Sequence, residues 1–203
     1  MVRMSYIIPS KDLTIKQKES YRGQVLDTMM SRALSTRTIL DEAVGLMREL
    51  LPSDLGLKNW VTPEQKAGED KVWIAHNVNH RQISIYKILQ LSSEPGVSQI
   101  TFIRNGSIEG IHPLESIYGS LPFWKLLAST LLSPQATKVL ERLAGKPIKM
   151  LPDIVEMEGY FSEPYIFDRE DKVEITLLTS QPTPGDTLYL GGLVVEPRGT
   201  KIV

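Results

Sequence analysis

A chain of 203 residues, 41% apolar and 23% charged, is long enough to bury a substantial core and lies far from disordered or collagen-like compositions. Its formal net charge is −1, with Lys and Arg scattered along the chain. That argues against the concentrated basic stripe needed for phosphate-backbone binding, so no nucleic-acid partner is expected. Cysteine is absent, which removes disulfides, thiolate nucleophiles and Cys-ligated zinc and leaves packing to hold the fold.

The first segment, "MVRMSYIIPSKDLT", has an apolar run before Pro9 that is too brief for a signal peptide, and no stretch reaches the ~18 apolar residues of a membrane span. Folding in a cytoplasm, with no membrane partner, is the expectation. Thr14 then offers an N-cap to "TIKQKESYRGQVLDTMMSRAL", where Tyr21, Val25 and Met29 recur four apart beside Leu26 and Met30. This spacing predicts an amphipathic helix. After Ser35 and Thr36, "TRTILDEAVGLMRELLP" sets Ile39, Leu40, Ala43, Val44, Met47, Leu50 and Leu51 at helical spacing before Pro52, and a second helix is predicted. Residues 1–51 thus read as an N-terminal helical arm, and 52–70, with two Pro, two Gly and six charges, as a linker.

The period changes at residue 71. "KVWIAHNV", "RQISIYKILQL", "SQITFIR", "VEMEGYF", "KVEITLLT" and "TLYLGGLVV" are short, β-branched or aromatic runs divided by turn pairs such as Pro95-Gly96, Asn105-Gly106 and Pro184-Gly185. One helical insertion interrupts them at 120–145, from Ser120 through Ser133-Pro134 to Gly145. The expected class is α+β: an N-terminal helical segment, then a β-sandwich of jelly-roll type over 71–203 carrying that insertion.

Chemical motifs are scarce. In "HNVNH", His76 and His80 would share a helix face, but their flanks favour extended backbone, which separates them by roughly 13 Å, too far to share a metal ion. Glu156 and Glu158 alternate on one strand, followed by Glu163, Asp168, Glu170 and Asp171, a pattern compatible with glycoside hydrolysis and equally with a solvated strand face. The aromatics Tyr160, Phe161, Tyr165 and Phe167 fit core packing first, then an interface or a sugar platform. No nucleophile elbow or phosphate-binding glycine loop occurs, and the glycines of "LGGLVV" suggest a bulge or close backbone approach. No catalytic residue, metal, cofactor or small-molecule substrate is predicted.

In the final strand Leu188, Leu190, Gly192 and Val194 alternate with Tyr189, Gly191, Leu193 and Val195, so both faces are apolar and both should be covered. Pairing with "KVEITLLT" in a hairpin-like unit is expected. One face belongs to the core. The other would meet the inserted helices, the arm or a neighbouring subunit, which makes Tyr21, Val25, Met29, Tyr189, Leu193 and Val195 the candidate interface residues.

The order "ISIYKILQL", "SQITFIRNGSIEGIHPLESIYG", the helical insertion, "PYIFDREDKVEITLL" and "GDTLYLGGLVVEPRG" resembles small accessory structural proteins of tailed bacterial or archaeal viruses, which decorate capsids or complete necks and tails. The resemblance spans the strand-rich 71–203 and rests on texture, so it transfers no site residue. It implies a non-enzymatic virion subunit made in the host cytoplasm, working by self-association and by contact with other virion structural proteins. The alternative is a carbohydrate-binding or glycosidase-like sandwich using the acids and aromatics of 156–171. A cupin-like metalloenzyme is disfavoured by the histidine spacing.

Overall fold

A computed structural model describes residues 6–36, 45–90, 96–114, 117, 157–180, 182–183 and 185–197. The insertion expected at 120–145, and with it Trp124, falls outside the described residues, as do Glu156 and positions 37–44 of the expected second helix. Nine strands and one α-helix are described: β1 (Ile7–Pro9), α1 (Ile15–Ser35), β2 (Gly45–Glu49), β3 (Asp70–Asn77), β4 (Gln82–Gln90), β5 (Val97–Arg104), β6 (Ser107–Pro113), β7 (Met157–Phe167), β8 (Lys172–Thr179) and β9 (Leu188–Pro197).

These strands form two antiparallel sheets. The larger has the order β1-β7-β4-β9-β2 and the smaller β3-β8-β5-β6. Their inner faces share one apolar core. Ile83, Ile85 and Ile88 of β4, Phe161 and Phe167 of β7 and Leu190 and Val194 of β9 meet Trp73, Ile100, Phe102, Val173, Ile175 and Leu177 of the smaller sheet. The fold is a β-sandwich, as the alternating segments predict.

Helix α1 adds a third layer on the outside of the larger sheet. Its start is set by the predicted Thr14 cap: the Gln17 N–H donates to Thr14 Oγ1 at 3.3 Å, and the Thr14 N–H donates to Gln17 Oε1 at 2.8 Å. Val25, Met29 and Ala33 then turn one stripe onto Tyr86, Tyr160, Ile166, Leu193 and Val195.

Three expectations need correction. Gly45–Glu49 is a strand and not the end of a second helix, because β9 supplies its hydrogen-bond partners, with Gly45 opposite Pro197 and Glu49 opposite Leu193. Within it Met47 joins the contact under α1, and tertiary pairing overrides the helical spacing. Residues 52–70 are not a free linker: a 3-10 turn spans Pro52–Leu55, Asp54, Leu55, Thr62 and Gln65 are buried, and isolated bridges join Val61 to Thr187 and Gln65 to Thr183. Finally, β9 does not pair with β8. The chain between them crosses from one sheet to the other, leaving β8 between β3 and β5, and β9 between β4 and β2. The bridges at Thr183 and Thr187 hold this crossing to the 52–70 strap, so the turn residues near Gly185 redirect the chain between layers.

The glycine pair of β9 marks a close approach. A Cβ on Gly192 would lie 1.8 Å from the Ser84 carbonyl oxygen, where Ser84 Oγ accepts from the Leu193 N–H at 3.0 Å. The β4 ladder shifts register just beyond, between Ile85 and Lys87. Ile117, buried in the core just after β6, would be within 3.2 Å of a Cβ on Gly159 near the start of β7.

Candidate interaction face

The space between the sheets is occupied by the protein's own side chains. Phe102 stacks on Tyr165 with centroids 4.1 Å apart, and Phe161 meets both edge-on at 5.2 and 5.6 Å. His112, fully buried, places Nε2 2.5 Å from Tyr165 Oη, joining β6 to β7. Tyr160, Phe161, Tyr165 and Phe167 are all buried, so none offers a ring face to a sugar. This is the core role expected for them first.

Three acids of the same region, Glu158, Asp168 and Asp171, lie beside cations. Burial pushes the Glu158 carboxyl up, but hydrogen bonds from Ser10 and Lys87 and the charges of Lys87 and Lys18 outweigh it and hold the group below the usual range. Asp168 is bonded by Gln82 Nε2 at 2.6 Å and lies 3.4 Å from Arg32, and Asp171 lies 3.3 Å from Arg104. To serve as a general acid, Glu158 would need the opposite shift.

Of the histidine pair, His76 lies on β3, where the backbone is extended, and His80 lies in the loop after it. Burial, then the neighbouring Arg81, holds the His76 imidazole below its ordinary pKa. Among the described residues no group of three or more His, Cys, Asp or Glu is placed to hold a metal ion.

Beside His76 sits a cluster that long sequence separation hides. Asp54 and Glu196, both buried, are joined by two arginines. Arg48 donates to both Asp54 oxygens at 2.6 and 2.7 Å and to Glu196 at 3.2 Å, and Arg81 donates to Asp54 at 2.6 Å and lies 3.3 Å from Glu196. Burial pushes the Asp54 carboxyl up. The bonds from Arg48 and the Leu51 N–H, with the charges of Arg48 and Arg81, outweigh this and hold it below its ordinary value. The four charges cancel and tie β2, the 52–55 turn, the start of β4 and the end of β9 together.

Of the six interface candidates, five come together within this one chain. Tyr21, Val25 and Met29 of α1 lie against the β9 side chains Leu193 and Val195. Tyr21 Oη also donates to the Phe161 carbonyl at 2.6 Å and its ring meets Tyr86 and Tyr160 edge-on. Burial, with Glu158 next, pushes the Tyr160 hydroxyl up to about 12, so this tyrosine stays neutral. Tyr189 lies apart, tilted against Trp60 at 6.3 Å. The cover expected over the second face of β9 is therefore the protein's own helix.

That leaves the outer face of the smaller sheet. Inward Val173, Ile175, Leu177, Ile100 and Phe102 fix which residues point away from the core. Across the strands, Val72 pairs with Thr176, Thr176 with Thr101 and Thr101 with Ile111. The next row runs Ala75, Glu174, Ile103 and Ile108. Val72 is 49% exposed, Ile108 44% and Ile111 41%, whereas Thr101, between Thr176 and Ile111, is only 7% exposed. The single charged residue of these two rows, Glu174, is matched by Lys172 at 3.5 Å. A solvated sheet face would be expected to carry polar and charged side chains here. Ile103, Ile108 and Ile111 were missed in the sequence; the available signal was that "SQITFIR" carries Ile100 and Ile103 at positions of opposite parity, so both faces of that strand hold an isoleucine.

Comparison with protein-family models, with curated proteins and with solved structures finds no match. Among the described residues no helix is long and apolar enough to cross a membrane.

Proposed function

We propose that this protein is a non-enzymatic assembly subunit of a virion, capsid-associated or part of a neck or tail, acting through contacts with copies of itself and with other virion structural proteins. The observation that carries this reading is the outer face of the smaller sheet. Among the described residues, side chains of both sheets pack the interior, α1 lies on the outside of the larger sheet, and the outer face of the smaller sheet presents Val72, Ile103, Ile108 and Ile111 with almost no net charge. Apolar surface of that kind marks an interaction site.

The finer architecture belongs to the same reading. Strands β2 to β9 fall in the orders β2-β9-β4-β7 and β3-β8-β5-β6, which we read as a jelly roll with β1 added at one edge. Jelly rolls recur in viral capsid domains, lectins and cupins, so the fold by itself favours no single chemistry. The resemblance of 71–203 to accessory proteins of tailed viruses favours the first of these. The buried aromatics of 157–171 and the pairing of Glu158, Asp168 and Asp171 with cations give the sugar-binding alternative no support.

The test is to purify particles by density gradient from cells that make this chain and to probe the fractions with an antibody against it. Stoichiometric recovery with the shell or tail proteins is expected. Confinement of the chain to the soluble fractions at the top of the gradient would overturn the proposal.

A further inference from the structure

Resting on the assembly reading above, we infer that the first occupant of the open face is a second copy of this chain, packed sheet on sheet across a two-fold axis. Four strands ~4.8 Å apart, each about seven residues long at ~3.3 Å per residue, give a face of roughly 450 Å² in plan. Two copies thus remove about 900 Å² before side-chain relief is added, close to the ~1,000–1,200 Å² at the lower end of specific interfaces. One domain's worth of this face falls just short of a stable interface, so the pair is expected to be weak and concentration-dependent. A partner much smaller than the sheet would leave part of the row from Val72 to Ile111 wet.

Charge and shape point the same way. The face holds no unmatched charge along its central rows, since Glu174 is already neutralised by Lys172, so it has nothing with which to select a charged partner. A neutral face meets its own copy without like-charge repulsion. Its β-branched and hydroxyl side chains lie on a twisted sheet, and a second sheet of the same hand packs on such a surface at about −30° with ~10 Å between layers. A two-fold axis would bring every residue of the patch into contact with a residue of the same patch.

The chain has no cysteine, which makes the test direct. Sedimentation velocity of the full-length protein over a wide concentration series should show reversible dimerisation. Ile111→Lys, which buries two unmatched ammonium groups per dimer, should weaken it at least ~100-fold while leaving thermal melting unchanged. Val72→Lys, on the opposite edge strand, should do the same and guards against a folding defect specific to β6. With the two-fold axis along the strands, β3 of one copy faces β6 of the other, and the thiol of Ile111→Cys should crosslink to that of Val72→Cys in a mixed dimer. A chain that stays monomeric throughout, or a dimer indifferent to both lysines, would overturn the inference. A monomer that nonetheless co-sediments with particles would overturn it while leaving the assembly reading intact.

Discussion

Replacing Gly110 by Ala sets a methyl group 1.9 Å from Tyr165 Oη, 3.0 Å from Tyr165 Cζ and 3.2 Å from His112 Nε2. Contact at 1.9 Å cannot be absorbed by a few tenths of an ångström, and Tyr165, buried and stacked on Phe102, has little room to retreat. Overpacking of this kind costs ~1–3 kcal/mol, and parting Tyr165 Oη from His112 adds ~1–2 kcal/mol, so a loss of about 3–4 kcal/mol is expected. Tyr165→Phe alone removes the same hydrogen bond at ~1–2 kcal/mol. In that background the nearest atom to the new methyl is 3.0 Å away, and Gly110→Ala should then cost only about 1 kcal/mol. The two changes together should therefore be ~2 kcal/mol less damaging than their sum. Urea unfolding followed by tryptophan fluorescence, with Trp73 buried in the core as reporter, measures all four corners of the cycle. Additivity within ~0.5 kcal/mol would refute the steric argument.

Val194 and Val195 are both fully buried but in different layers, so Val194→Asp should cost more than ~4 kcal/mol and unfold the sandwich, whereas Val195→Asp should release α1 and leave the sheets standing. Circular dichroism with limited proteolysis of residues 15–35 would separate the two, and identical melts would contradict the layering. Asp54→Asn should cost ~3–5 kcal/mol by leaving Arg48 and Arg81 short of a partner. Because the folded Asp54 carboxyl titrates below its unfolded value of ~3.9, its contribution is complete above that pH and is lost as pH falls through the folded value. The variant should lack this acid limb in a pH series of urea midpoints, and parallel curves would argue against it.

Much of this was legible because local signals agreed with the final structure. Thr14 and the Tyr21, Val25, Met29 stripe specified α1 without help from other elements. Asn105-Gly106 marked the β5–β6 turn, where both residues have positive φ, at 50° and 79°. The alternation in β9 placed Val194 and Val195 in opposite layers. What was hidden depends on distant partners. Gly45–Glu49 is a strand only because β9 lies beside it, and Glu196, Arg48, Asp54 and Arg81 show no common pattern until the fold unites them. The same holds for the open face, whose rows combine residues from 72 to 176.

The position of β9 has a consequence for how the chain is made. This strand leaves the ribosome after all the others described, yet it lies inside the larger sheet between β4 and β2. Until it arrives, β2 has no described neighbour, β4 has an open edge, and α1 has neither Leu193 nor Val195 to rest on. β1 likewise waits for β7, since Ile7 pairs with Phe161. Sheet assembly is thus a late, non-local event of high contact order, in which loops must close before contacts reward them. The nascent chain carries unpaired edges through most of its synthesis, and crowding copies on one message would expose those edges to each other.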